Sequence, residues 1–363
     1  MAHPLSGANI GTLARVAQIS GAPKKWPAYL GVWGAALGRW PFSTAERLAL
    51  LGRLPKTAEM APPVFILGHW RSGTTHLYNI MCKSDEWAYV PPVATGLPWD
   101  LFGLAKLTRP ILERQLPEHR YIDNIPVKPD SPQEDEIAIA NMTSVSFYHG
   151  IYFPKEFDRH LARGLFFEGC RPVEIEEWKH RFIHLMKKLS KLQDGKPLLI
   201  KNPVYTGRLA LLRELFPHAK FVHIHRNPYE VFTSMRNFYA KLFEEFALQD
   251  YSHVDVDERI LQVYDRMMSR LERDAAGLPD DVYMELRYDE LDAAPMAAVE
   301  KIYEQLKLPG FERARGKFVD YLGTVKSFKK NKFSYTDEAA AKVEGHLGRY
   351  LEQWGYKRPG SEG

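Results

Sequence analysis

Gly68-His-Trp-Arg-Ser-Gly-Thr-Thr75 packs two glycines, an arginine and three hydroxyls into eight residues. It follows a short apolar run and opens into a stretch read as a helix. Backbone N–H groups at a helix N-terminus point outward and carry partial positive charge, so an anion can sit there. Gly73 lets the backbone approach that anion with no Cβ in the way, and Thr74 and Thr75 add hydroxyl donors. The spacing is that of G-x-x-x-x-G-K-[ST], except that Thr74 stands where the lysine belongs and the cation, Arg71, precedes the second glycine. Nucleoside triphosphate hydrolysis needs that lysine on the β- and γ-phosphates, so this loop is built for another polyanion. The competing structural reading is an ordinary Ser/Thr turn. A second segment, FVHIHRNPYEVFTS, weighs against it: Arg226 ends a strand and Ser234 lies eight residues later in the following helix. An arginine fork and a hydroxyl placed so can close on one phosphate. Together the two segments suit a ligand with phosphate groups at both ends.

The elements that must carry these residues alternate. VFILG (Val64 to Gly68), PLLIK (Pro197 to Lys201), FVHIHR (Phe221 to Arg226) and VYMELRY (Val282 to Tyr288) read as buried strands. Between them lie helical patterns: Gln133 to about Tyr148, Trp178 to Leu192, Arg208 to Leu215, a helix starting near Pro228, Glu258 to Asp274, and another after Pro295. Such alternation predicts a parallel sheet flanked by helices. Residues 1–60 read as a helical preface, with Ser43-Thr-Ala-Glu46 as a capping box before ERLALLGRL. Residues 61–363 form the main domain, compact with the preface. Residues 91–133, rich in proline, read as loops and short helices lining an acceptor pocket.

The 363-residue chain is 45% hydrophobic and 26% charged, which suits a globular protein with a large core. A net charge of +4 with no basic arm excludes a nucleic-acid partner and fits a polyanionic small ligand. Cys82 and Cys170 match no zinc spacing and read as buried free thiols in a reducing compartment. With no signal-peptide pattern, the expected location is cytoplasmic. The most apolar early stretch, Trp26 to Phe42, is too short and glycine-rich to span a bilayer. It reads as a helix packed on the core, with peripheral contact to a membrane as the alternative.

The two phosphate segments, together with PDSPQEDE (Pro129 to Glu136), LIKNPVYTGRLALLRELFPHAKFVHIHRNP (Leu199 to Pro228), ELRYDEL (Glu285 to Leu291) and the tail FKKNKFSYT…WGY, resemble the sulfotransferases that use 3′-phosphoadenosine 5′-phosphosulfate (PAPS). The resemblance runs from about Val64 to Tyr356 in the family's order. It is closest to bacterial members with arginine rather than lysine in the first loop. It implies a P-loop sheet of the nucleotide-kinase type, PAPS as co-substrate with PAP as product, and no metal. Arg71, Ser72, Gly73, Thr74 and Thr75 match the 5′-phosphosulfate loop, and Arg226 and Ser234 the 3′-phosphate grip. Tyr288 falls in the segment near the adenosine, and Lys329, Lys330 and Asn331 in a late basic loop that closes over the cofactor.

Sulfuryl transfer is an in-line displacement in which negative charge grows on the bridging phosphate oxygen, so fixed cations stabilise it. Arg71 is the first candidate. Lys201, placed like a lysine of related enzymes, is the second, against the plainer reading of a strand-end ion pair. The acceptor hydroxyl, on a small alcohol, lipid or carbohydrate, needs a general base. Relatives carry a glutamate shortly after the first helix, but the equivalent WAYVPPVATGLP has no acid. Glu134 and Glu136 in the PQEDE cluster are the favoured replacements, with His149 a further candidate and a solvated acidic face the bland reading. His223 and His225 share one face of a strand and read as core rather than metal ligands. His69 and His76, flanking the first loop, read as packing or ligand-contacting. Two alternatives stay open: a P-loop small-molecule kinase, opposed by the absent lysine, and a nucleotide-binding scaffold that has lost catalysis, hinted at by the missing base.

Overall fold

The computed structural model describes residues 3–107, 131–325 and 336–359. In chain order its strands are β1 (Val64–Leu67), β2 (Leu199–Lys201), β3 (Lys220–His225) and β4 (Tyr283–Arg287). Its α-helices in the first half are α1 (Ile10–Ser20), α2 (Trp26–Ala49), α3 (Thr74–Met81), α4 (Pro92–Gly96), α5 (Glu136–Met142), α6 (Tyr148–Tyr152), α7 (Phe157–Phe166) and α8 (Pro172–Leu192). Then come α9 (Leu209–Leu215), α10 (Pro228–Phe246), α11 (Val256–Ala275), α12 (Tyr288–Ala293), α13 (Pro295–Gln305), α14 (Phe311–Val325) and α15 (Asp337–Trp354).

The strands form one parallel sheet in the order β2-β1-β3-β4. β1 is apolar and wholly buried, as a central parallel strand must be, and its residues Val64 to Leu67 face Lys220 to His223 of β3. β4 pairs with the far side of β3, and its burial alternates with an exposed Glu285 at the centre, the pattern of an edge strand. The chain moves outward from β1 to β2 and returns past β1 to β3. The strand order therefore reverses between β1 and β3, and in open α/β sheets ligands bind in the crevice beyond the carboxyl ends of the strands at such a point. The four strands fall where the sequence places them, to within a residue or two.

The chain divides into two compact units, Met1–Ala61 with Ala88–Ile200 and Lys241–Val254, and Pro62–Trp87 with Lys201–Ala240 and Asp255–Gly363. In the first, Leu5, Val16 and Val32 are at most 1% exposed, so the N-terminal helices pack into its core. Asn9 caps α1 by accepting a hydrogen bond from the Thr12 N–H at 2.8 Å. In the second, Phe65 stacks on Phe221 and meets Tyr205 edge-on beneath the sheet.

Several expectations are corrected. Ser43 does not cap a helix. It lies inside α2, which runs through Pro41, and its hydroxyl donates back to the Arg39 carbonyl at 3.2 Å. Glu46 is buried and accepts from Lys188 Nζ at 2.6 Å and from the Phe102 and Gly103 N–H groups, so it is unavailable to a cap. The single helix expected over Gln133 to Tyr148 is two, α5 and α6. Between them the Thr143 hydroxyl accepts from the Val145 N–H and the Ser146 hydroxyl from the Tyr148 N–H, local bonds that compete with a helical ladder. The stretch before α9 opens as a 3₁₀ helix over Pro203–Arg208, started by the Asn202 side chain accepting from the Val204 N–H. Cys82 and Cys170 are thiols rather than a disulfide, and they are half-buried, not buried. The sequence patterns give no helix at α7, α12, α14 or α15.

Candidate active site

The segment after β1 takes its shape from three residues in the left-handed region: Gly68 (φ 143°), Arg71 (φ 69°) and Gly73 (φ 94°). A Cβ at Gly68 would stand 2.4 Å from the Ile224 carbonyl oxygen, so only glycine lets the chain turn against β3. The Gly68 N–H donates to the Thr206 hydroxyl at 2.8 Å, and the Ser72 N–H to the His69 carbonyl at 3.2 Å. Arg71 has a Cβ, and a left-handed φ costs such a residue about 1–3 kcal/mol, strain that clusters at ligand clamps. Gly73 is the N-cap of α3. A Cβ there would meet the Tyr288 ring at 2.1 Å, so glycine lets an aromatic ring lie directly on the helix start.

The second segment meets the first. Arg71 Nε donates to the Ser234 hydroxyl at 2.8 Å, which ties the turn after β1 to the first turns of α10. Arg226, one residue past β3, lies over the Tyr288 ring at 4.5 Å, with its Nε on Glu230 at 2.5 Å. Arg226 also reaches the Arg71 carbonyl, at 3.5 Å. Lys201, 2% exposed at the end of β2, donates from Nζ to the Thr75 hydroxyl at 3.1 Å. The second unit thus brings Arg71, Ser72, Gly73, Thr74, Thr75, Lys201, Arg226, Ser234 and Tyr288 together around the carboxyl ends of β1 and β3. Three cations, an outward-facing helix N-terminus and an aromatic ring form a cradle for a polyanion with a flat base.

Two residues of this cradle escaped the sequence reading. Glu230 holds Arg226, and its position four residues on in a helix is a signal the sequence contains. Thr206 anchors Gly68 from 138 residues away, which no local pattern announces.

The remaining candidates have defined surroundings. Glu136, 1% exposed, accepts from the Ser146 hydroxyl at 2.7 Å and the Phe147 N–H at 3.1 Å, bridging α5 to the start of α6. Glu134 is half-buried just before α5. His149 is fully buried, donates from Nε2 to the Ala140 carbonyl at 3.0 Å, and is lowered by burial to about 4, so it is neutral near pH 7. His69, also lowered by burial to about 4, packs against Trp70 and Tyr264. His223 bonds Glu285 through Nδ1 at 2.9 Å, and His225 stacks on Trp354 at 4.3 Å with the Tyr356 hydroxyl at 3.1 Å. These two histidines join the sheet to the end of α15. Burial opposes ionisation of Glu285, but the His223 hydrogen bond and its neighbours hold it at about 2. Lys329, Lys330 and Asn331 lie outside the described residues.

A parallel sheet with a glycine-bearing turn and cations gathered beyond its switch point is the arrangement of a P-loop-like fold. A model of the sulfotransferase family matches residues 62–313, well over half of the chain, and the chain belongs to that family. It is 29% identical over 333 residues to the omega-hydroxy-beta-dihydromenaquinone-9 sulfotransferase Stf3 of Mycobacterium bovis, covering 91% of this chain and 83% of the relative. The same figures hold for Stf3 of Mycobacterium tuberculosis. Among solved structures, sulfotransferase STF9 of Mycobacterium avium superposes with a TM-score of 0.66 at 16% identity, covering 96% of each chain. STF1 of Mycobacterium tuberculosis gives 0.63 at 16% identity, over 93% of this chain and 91% of that one. The fold is that of the sulfotransferases, and the activity is sulfuryl transfer to a hydroxyl acceptor.

Proposed function

We propose that the sulfuryl donor is PAPS and that the acceptor hydroxyl is carried by a lipid. The observation that carries the donor reading is the Arg71–Ser234 hydrogen bond of 2.8 Å. It links a turn shaped for one phosphate to the arginine-and-hydroxyl pair shaped for another, as a ligand phosphorylated at both its 5′ and 3′ positions requires. In this reading the first turn of α3, with Thr74 and Thr75, holds the 5′-phosphosulfate. Arg226 exchanges Glu230 for the 3′-phosphate, with Ser234 beside it. Tyr288, against Gly73 and under Arg226, flanks the nucleoside. Thr74 in place of the Walker lysine weighs against a kinase. The lipid acceptor is supported by the relative named for a hydroxylated menaquinone substrate.

The chemistry is a displacement at sulfur. The acceptor oxygen bonds to sulfur as the bond from sulfur to the bridging phosphate oxygen breaks, and that oxygen leaves with the electron pair. Arg71 and Lys201 stabilise the charge it gains. The acceptor proton passes to a general base. The two candidate acids are Glu134 and Glu136, and Glu134 is tested first because Glu136 Oε1 already accepts from Ser146 and Phe147.

The test is thermal shift with PAP, ATP and ADP, each with and without Mg²⁺, on the wild type and Arg226→Ala, followed by transfer from labelled PAPS to hydroxylated quinones and other lipid alcohols. PAP is expected to raise the melting temperature without Mg²⁺, and Arg226→Ala to weaken binding at least about tenfold, the loss of one charge-assisted contact. Glu134→Gln is expected to lower kcat while leaving the PAP shift intact. Stabilisation by Mg-ATP alone would sink the donor assignment. Transfer to sugars but not to lipids would sink the acceptor assignment.

A further inference from the structure

α2 has its polarity inside out. Its inward face buries Tyr29, Val32 and Ala36 and also carries the two charged residues between Lys25 and Arg47, namely Arg39 and Glu46. Arg39 bonds Asp100 and the Ser6 and Ala8 carbonyls, and Glu46 pairs with Lys188. The side chains of that second pair are only 3% and 1% exposed. The outward face is apolar: Trp26, Leu30, Leu37, Trp40 and Leu48 recur at helical spacing with Phe42 to one side, and each is 50–61% exposed. Leu51, 68% exposed, continues the stripe past the helix end. Over the roughly 30 Å from Trp26 to Ala45 no charged side chain interrupts the exposed face, Arg47 in the last turn being the first exposed charge, and an apolar surface of that kind marks an interaction site.

The charges that border the stripe are basic. Lys24 and Lys25 precede it, Arg47 lies in its last turn, and Arg53 and Lys56 follow it. The exposed acids beside them are Asp250 against Lys24 and Glu59 against Lys56. Where α2 ends, a cleft of about 470 Å³ is lined by Arg47, Arg181, Lys187, His180 and His184 with apolar walls that include Leu51 and Trp99, and no acid is among the described residues that line it. Arg181 lies over the Trp99 ring at 5.1 Å and donates to Glu177, four residues earlier in α8, at 3.4 Å.

We propose that the outward face of α2, with the basic cleft at its C-terminal end, docks on an anionic lipid bilayer, the apolar stripe entering the headgroup boundary and the cleft receiving a lipid phosphate. Trp26 and Trp40 are the residue type that favours that boundary, and basic residues flanking an apolar face are the pattern of helices that lie in it. A second copy of the chain is the poorer occupant. Whether two such stripes met parallel or antiparallel, Lys24 and Lys25 would face either each other or Arg47 and Arg53, cation on cation. An anionic surface supplies the opposite charge at both ends. Lying in the interface differs from crossing it, and no helix among the described residues is long and apolar enough to cross. The inference stands independently of donor and acceptor.

The experiment is sedimentation of the full chain with phosphatidylcholine vesicles, with and without phosphatidylserine. The variants are Leu30→Glu/Trp40→Glu and Arg47→Glu/Lys187→Glu, and the thermal unfolding transition by circular dichroism is measured on each to show that it is folded. The wild type is expected to pellet with the serine-lipid vesicles and much less with the neutral ones. Each double variant is expected to lower the partition coefficient by about tenfold or more, since each basic residue near an anionic surface contributes measurably, with the unfolding transition still cooperative. A wild type left in the supernatant with both vesicles would overturn the proposal. So would light scattering that finds a dimer which Leu30→Glu/Trp40→Glu turns into a monomer, because the stripe would then be a self-interface.

Discussion

Gly73 carries the sharpest demand placed on any one residue of the site. Its φ of 94° is left-handed, and the Tyr288 ring occupies the space a Cβ would need, at 2.1 Å. In Gly73→Ala the helix start and the ring must separate, moving the N–H groups and the phosphate-facing hydroxyls together. A displacement of about 1 Å at such a position can cost about 100-fold in rate. Gly73→Ala is therefore expected to lose the PAP thermal shift and at least about 100-fold in kcat/KM, while its far-ultraviolet circular dichroism stays that of the wild type. An unchanged kcat/KM would mean that the anion does not bind at this turn. Arg71 reaches its left-handed φ without being glycine, and its side chain gains Ser234 in return.

At the scale of elements, the buried pair Lys188–Glu46 fixes α2 to α8. Lys188 also donates to the Pro98 carbonyl at 2.6 Å, and Glu46 Oε2 takes the Phe102 and Gly103 N–H groups at 2.7 and 2.8 Å. Burial pushes the Lys188 ammonium below the ordinary lysine range, and Glu46 pulls it back. Removing either partner leaves a charge buried alone, which costs about 3–5 kcal/mol. Lys188→Met and Glu46→Gln should each lower the unfolding free energy by that margin, read from the shift of the urea midpoint. The double variant should lose less than the sum by about 1–3 kcal/mol, the coupling expected of residues in direct contact. Additive losses would show that the pair contributes nothing beyond its separate contacts.

For the whole molecule, the first compact unit is assembled from three stretches of chain, and its first stretch lies outside the 62–313 family match. Leu5, Val16 and Val32 belong to its core, and Arg39 bonds Asp100 across it. A chain starting at Pro62 therefore exposes that core and leaves Asp100 and Lys188 buried without their partners. It is expected to be recovered as aggregate, or to lose the cooperative thermal transition in circular dichroism. A soluble, cooperatively melting protein of that length would show that the preface is dispensable to the fold.

What the sequence determined by itself is what short windows can encode. Short apolar or alternating runs placed the four strands to within a residue or two, because a strand's burial pattern is carried by its own side chains. Glycine and arginine spacing located Gly68 to Thr75 and Arg226 to Ser234, because left-handed backbone and helix N-termini are local devices. Only the tertiary structure decided the rest. Ser43 to Glu46 has the composition of a cap, but Lys188, 142 residues away, claims Glu46 and draws it inward. Glu136 has the composition of a general base, and only the fold shows that its Oε1 accepts from the Ser146 hydroxyl and the Phe147 N–H. α2 reads as an ordinary core helix until Arg39 and Glu46 are seen paired on the inside and Trp26 and Trp40 on the outside. A charge goes wherever its partner is, and partners far apart in the chain meet only when it folds.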